Sequence, residues 1–202
     1  MSNSVVVSAA VEGDVDEAVV RKLIEHVGAI PGTVYGKLGK ASLRAKIAGY
    51  NNAARHAPWI VLVDLDHDYE CAPPFLNTWL PNPSPFLCFR VAVREVEAWL
   101  LADARHLADF LRVPRSTVPA HPEELTNPKV ALVNLARSSR NKAIQENMVP
   151  RQESGRQVGP AYSSRLIEFI RSSWQPNLAT QRSESLRRAL ICLRRLTEGK
   201  VT

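Results

Sequence analysis

The chain has 202 residues, 45% of them apolar, which suits one ordinary globular domain or one domain with a small appendage. No apolar run reaches the roughly 18 to 20 residues needed to span a bilayer, so a membrane partner is not expected. Cys71, Cys88 and Cys192 are odd in number and widely spaced, which argues against zinc ligation and a disulfide framework. The net charge of +6 is unevenly spread. Residues 1–102 hold nine Lys/Arg and eleven Asp/Glu, a balance of −2, and residues 103–202 hold seventeen and nine, a balance of +8. An acidic region beside an Arg-rich one suits a polyanionic partner.

Met1-Ser2-Asn3-Ser4 lacks the basic start of a signal peptide, so a cytoplasmic protein is expected. The apolar run from Val5 to Val11 reads as a first strand. A helix follows from Asp14 to about Val27, with Val15, Val19, Val20, Leu23, Ile24 and Val27 at helical spacing. Thr33 to Tyr35 reads as a short second strand, Lys40 to Arg55 as a second helix, and Trp59 to Val63 as a buried strand. Between Ala72 and Pro85 five prolines exclude a long regular element, leaving room for one helical turn from Phe75 to Leu80. Phe86 to Val93 is the fourth strand. Glu95 to Leu111 then reads as a helix with a break near Asp103. Beyond Val113 strand signals stop, and helices are expected at Pro128–Ser138, Tyr162–Ser172 and Ser183–Thr197. The expected fold is α/β, Rossmann-like: a mostly parallel four-stranded sheet flanked by helices, with an α-helical C-terminal extension. Residues 1–112 would form the core and residues 113–202 the basic extension packed on it.

Three carboxylate clusters stand directly after strands: Glu12-Gly13-Asp14-Val15-Asp16-Glu17, Asp64-Leu65-Asp66-His67-Asp68 and Glu95-Val96-Glu97. Ligands of an open parallel sheet gather at the carboxyl ends of its strands. Carboxylates crowded there repel one another and call for a cation, most naturally a hard divalent metal. Glu12 leaves the strand before the helix begins, whereas Asp14, Asp16 and Glu17 also suit the helix dipole. Period-two alternation would put Asp64 and Asp66 on one side. Glu95 and Glu97 start a helix and face different ways. Asp64-x-Asp66-x-Asp68 is not an EF-hand, because Tyr69 and Phe75 stand where Gly and Glu are needed. Lys37 and Lys40 follow a strand and open a helix on the ligand edge, without Walker spacing, and are candidates for a phosphate contact. Arg151 and Arg156, in the polar segment from Val149 to Pro160, are further nucleic-acid or phosphate candidates. No nucleophilic triad emerges.

In this order and on these elements, the first two clusters resemble the motifs of the Toprim domain. Val11 to Glu17 is similar to its first motif and Val61 to Asp66 to its second. The segment Arg94-Glu95-Val96-Glu97-Ala98-Trp99-Leu100-Leu101-Ala102-Asp103 resembles a narrower group of stand-alone Toprim-like proteins. Asn127-Pro128-Lys129 and Gly159-Pro160-x-Tyr162 fit the same group. That group is related to the nuclease domain of overcoming-lysogenisation-defect (OLD) proteins and is often encoded beside ATPases in prokaryotic defence loci. The resemblance implies Mg²⁺-dependent (or Mn²⁺-dependent) phosphodiester hydrolysis on DNA or RNA, acting with an ATPase partner. It implies that Glu12, Asp64 and Asp66 hold the metal, with Glu12 also a candidate base, and that Asp16 and Glu97 complete a second metal site. The alternatives are a non-catalytic Toprim module that binds nucleic acid or docks an ATPase, and a small-molecule phosphate-processing enzyme.

Overall fold

A computed structural model describes residues 5–198, so the reading of Met1 to Ser4 lies outside the described residues. In chain order the elements are β1 (Val6–Val11), α1 (Asp14–His26), β2 (Ile30–Gly36), α2 (Gly39–Ala53), β3 (Trp59–Asp64), α3 (Ala72–Trp79) and β4 (Leu87–Ala92). They continue with α4 (Val96–Ala102), α5 (Ala104–Leu111), α6 (Pro128–Arg137), α7 (Lys142–Met148), α8 (Tyr162–Ser172), α9 (Pro176–Ala179) and α10 (Glu184–Thr197). The chain forms two compact units, one of residues up to Val93 together with those from Ser185 onward, the other Arg94–Glu184. The sequence-based boundary at residue 112 therefore falls inside the second unit, and the chain returns to the first with α10.

The first unit is a four-stranded, wholly parallel sheet in the order β2–β1–β3–β4. This is the expected α/β, Rossmann-like architecture. Trp59, Val61 and Val63 of β3 face a cluster with Leu43, Ile47 and Tyr50 of α2 and with Phe75 and Trp79 of α3. Alternation turns Ile60 and Leu62 to the opposite side, beside Ala9 of β1 and Cys88 of β4 in the strand register. Helix α1 has no side-chain cap at Gly13, a loss of only about 0.3 kcal/mol, because glycine is itself a tolerated N-cap. It buries Val19, Val20, Leu23 and Ile24 completely, each burial contributing about 1.5–3 kcal/mol, so packing decides the helix. On β4, Cys88 and Arg90 meet Cys192 of α10. A hydrogen bond from Cys88, helped by the Arg90 charge, draws the Cys192 thiol down to about 6, while burial pushes Cys88 up.

Two local expectations change and a third holds. The second strand runs from Ile30 to Gly36, longer than Thr33–Tyr35, because β1 supplies a backbone ladder along its whole length. The proline-rich segment makes the helix α3, since Pro73 and Pro74 lie in its first turn, where their missing N–H groups lose no helical bond. Asp103 breaks the long helix as expected, and its carboxylate caps α5 by accepting the His106 N–H.

The second unit, Arg94–Glu184, contains helices and 3₁₀ turns among its described residues. Its interior includes Trp99, Trp174 and Phe169, all fully buried, with the Trp174 indole N–H donating to the Trp99 carbonyl. Among the described residues of the chain no helix is long and apolar enough to cross a membrane.

Candidate functional site

The strand order places β1 between β2 and β3, so the chain turns one way after β1 and the other way after β2. The crevice beyond the carboxyl ends of β1 and β3 is the topological switch point of the sheet, where doubly wound folds bind ligands. Glu12 stands at the end of β1 and Asp64 at the end of β3. The Asp64 backbone N–H donates to Glu12 Oε1 at 2.8 Å, joining the two strand ends. Burial pushes the Glu12 carboxyl above its ordinary value. The Asp64 N–H and Lys40 pull it down, and the charges of Asp66 and Asp68 push it up again.

Lysine 40 is delivered by the turn between β2 and α2. Gly36 has φ +91 there, and a Cβ would stand 2.2 Å from the Val11 carbonyl oxygen, so only glycine fits. The Lys37 and Gly39 N–H groups donate to the carbonyls of Val11 and Glu12 at 2.9 and 3.0 Å, stitching the turn to the end of β1. Lys40 in the first turn of α2 then reaches across to β3. Its Nζ lies 2.7 Å from both Asp66 Oδ2 and Asp68 Oδ2. Burial works against the Lys40 ammonium, but the hydrogen bonds to Asp66 and Asp68 outweigh it and hold the pKa above the ordinary value. A lysine at a helix N-terminus opposes the helix dipole. The first turn of α2 contains no acid, so the aspartates across the crevice compensate this charge.

Beside this ion pair lies a cavity of about 600 Å³ lined by Lys40, Arg44, Asp68, Tyr69 and Trp79. The Arg44 guanidinium sits 5.7 Å from the centre of the Trp79 ring, and Trp79 stacks on Phe75. The pocket thus offers two cations and an aromatic wall next to the carboxylates. Its size is ordinary for a small-ligand site.

The sequence candidates separate. The Glu12 carboxylate meets the backbone of Asp64. The strand ends at Asp64, and Asp66 takes a left-handed φ of +51, so strand alternation no longer governs it; its carboxylate pairs through Lys40 with Asp68. Asp68, which is not among the ligands that the resemblance implies, stands with Asp66 around Lys40. Asp16 is buried in the first turn of α1, with its carboxylate over Gly13. Lys37 leaves the group: its φ of +67 turns it toward α1, where Nζ pairs with Glu17 at 2.8 Å. Arg44, Tyr69 and Trp79 gave no signal in the sequence, because only the fold lines them up along one cavity.

Glu97 belongs to the second unit and is 3% exposed. The Tyr162 hydroxyl donates to it at 3.2 Å, and Lys129 Nζ lies 3.7 Å away. Burial pushes its carboxyl up, against the nearby Lys129 charge. Glu95 accepts the Lys129 N–H and Nζ, both at 2.9 Å, and so caps the start of α6, where Pro128 occupies the first turn. The Glu95-Val96-Glu97, Asn127-Pro128-Lys129 and Gly159-Pro160-x-Tyr162 segments therefore form one network within this unit. Arg151 and Arg156 also lie here, in the loop before α8.

Among the described residues, no three His, Cys, Asp or Glu side chains stand together as a ready metal-ligand set. The donor chemistry at the switch point nevertheless fits a hard cation, since Glu12, Asp64, Asp66 and Asp68 present only carboxylate oxygens. No protein-family model matches the chain, and neither a curated protein nor a solved structure is found to be similar to it.

Proposed function

We propose that the first unit carries a divalent-cation-dependent phosphodiester hydrolase site acting on DNA or RNA, in concert with an ATPase partner. The observation behind this reading is the meeting of Glu12 and Asp64 at the switch point, beside the Asp66–Lys40–Asp68 ion pair. Glu12 is the base in this scheme. One of its oxygens is occupied by the Asp64 N–H, and burial has brought its carboxyl closer to neutrality, which suits proton transfer. It takes the proton of the attacking water as the new P–O bond forms and the ester P–O bond breaks, and the departing alkoxide oxygen takes a proton from solvent. Lys40 and Arg44 offset the charge on the phosphoryl oxygens, while Tyr69 and Trp79 form the wall against which a nucleotide base would lie. With Glu12 as the base, Asp64 and Asp66 would hold Mg²⁺ or Mn²⁺, which supplies Lewis-acid charge to the scissile phosphate when bound.

A second reading has its own support. Lys40 already pairs with both Asp66 and Asp68 from within the chain, as in a module that binds nucleic acid or an ATPase without cutting. Cleavage of plasmid and single-stranded substrates in Mg²⁺ and in Mn²⁺ separates the two. The hydrolase reading expects cutting that Glu12→Ala lowers by about 10²-fold or more. Cutting that Glu12→Ala leaves unchanged, or no cutting in either arm, rejects it and favours the binding module.

A further inference from the structure

The geometry points to a separate phosphate site in the second unit: the loop from Val149 to Pro160 forms a pocket for a terminal phosphate monoester. The loop is clamped at its base. The Gly159 N–H donates to the Met148 carbonyl at 3.0 Å, and the Ala161 N–H to the Asn147 carbonyl at 2.9 Å. Gly159 leaves no space for a side chain, since a Cβ would stand 2.5 Å from the Asn147 oxygen and 2.6 Å from the Met148 carbonyl carbon. A surface loop closed so tightly at its stem has a defined interior.

That interior is a cavity of about 400 Å³ lined by Arg151, Ser154, Arg156, Val158 and Pro160. Ser154 is bracketed by two left-handed residues, Glu153 at φ +67 and Gly155 at φ +64. The Ser154 N–H donates to the Arg151 carbonyl at 3.2 Å, and the Arg156 N–H donates to Ser154 Oγ at 3.3 Å. Because Ser154 Oγ accepts a hydrogen bond from the backbone, its own proton is left to donate into the cavity. Among the described residues, neither the Arg151 nor the Arg156 guanidinium makes an ion pair or side-chain hydrogen bond.

Arg151 and Arg156 place two like charges around one cavity, and an anion between them turns that cost into attraction. Their planar forks match phosphate oxygens bidentately, and the serine hydroxyl adds a third donor. A monoester phosphate carries close to two charges at neutral pH, whereas an internal diester carries one, so the arginine pair selects a chain end or a free nucleotide. Val158 and Pro160 give the adjoining sugar an apolar rest. The site is independent of the carboxylates of the first unit, and rests on the proposed function only in taking nucleic acid as one source of the phosphate.

The test uses the full chain in EDTA, where metal-dependent cutting is absent. Fluorescence anisotropy compares a 3′-labelled single-stranded ten-nucleotide DNA bearing a 5′-phosphate with its 5′-hydroxyl twin, and AMP competes against both. A preference of about tenfold or more for the phosphorylated strand is expected. It should fall to within about twofold in the Arg151→Ala/Arg156→Ala double variant, whose circular dichroism matches wild type. Arg151→Lys/Arg156→Lys should retain an intermediate preference, because the charge stays and the forks go. Competition by AMP at the affinity of the strand supports the pocket with a mononucleotide as its source, and weaker competition supports it with a strand end. Equal binding of the two DNA twins overturns the proposal, as does a preference that survives the double alanine variant. Loss of cutting in Glu12→Ala leaves this readout untouched, so the two ideas fail separately.

Discussion

The chain holds two carboxylate groups of opposite character. At the sheet edge, Asp66 and Asp68 keep side-chain exposures of 42% and 50% around Lys40, beside an open cavity. In the helical unit, Glu97 is 3% exposed and its polar neighbours Tyr162, Lys129 and Glu95 belong to the same unit. Both groups pair acids with one lysine. One leaves its charges within reach of a ligand, and the other uses them to join three chain segments. Acid count alone therefore says little about function; access and the source of the counter-charge say more.

The contrast makes graded predictions. Glu97→Ala should cost most, about 2–3 kcal/mol of unfolding free energy, because it strands a buried tyrosine hydroxyl and removes half of the Lys129 pairing. Urea unfolding measures this, and a loss under about 0.5 kcal/mol would put Glu97 with the open group instead. Glu12→Gln should do the reverse. The folded chain holds the Glu12 proton more tightly than the unfolded chain. Wild-type stability is therefore eroded by this group as pH rises from the ordinary carboxyl range through the raised folded value. The variant should lose that part of the slope and match or exceed wild type at neutral pH, as parallel unfolding series between pH 4 and 8 will show. Lys40→Met should have the smallest effect on stability, below about 1 kcal/mol in low salt and fading as salt screens the half-exposed pairs. If the carboxylates form the cation site, the same variant should bind Mn²⁺ at least as tightly as wild type in calorimetry, whereas weaker binding would make Lys40 part of the metal-binding scaffold.

Much of the first unit is legible in the sequence because its strands are short apolar runs and its acids sit directly after them. Glu12 and Asp64 follow from that pattern. The partition of Lys37 from Lys40 does not, since it depends on a left-handed φ at Lys37 and a glycine pressed against Val11. Asp66 escapes the strand alternation for the same kind of reason, a backbone turn that periodicity cannot register. Helix α7 is short and mostly polar, with Ile144 and Met148 as its buried residues, so its periodic signal is weak. In the second unit, Glu95 is legible as a strand-end acid, whereas Lys129 and Tyr162 carry no periodic signal that points to it; their convergence is a property of the fold.

The return of α10 to the sheet has a consequence for how the molecule is made. Cys88 and Arg90 on β4 meet their partner Cys192 only after residues 94–184, a stretch of 91 residues, have been synthesised. The Val93 N–H donates to Ser185 Oγ at 3.4 Å, so the chain leaves and re-enters the sheet at one place. Closing a flexible loop of that length costs on the order of 4 kcal/mol in chain entropy, and prior folding of the intervening segment reduces it by fixing the segment's ends. Until then a nascent chain emerging from the ribosome carries a sheet with the Cys88 and Arg90 side of β4 uncovered, open to wrong partners. The carboxylate edge is thus complete in the nascent chain before the helix that meets Cys88 and Arg90 has been made.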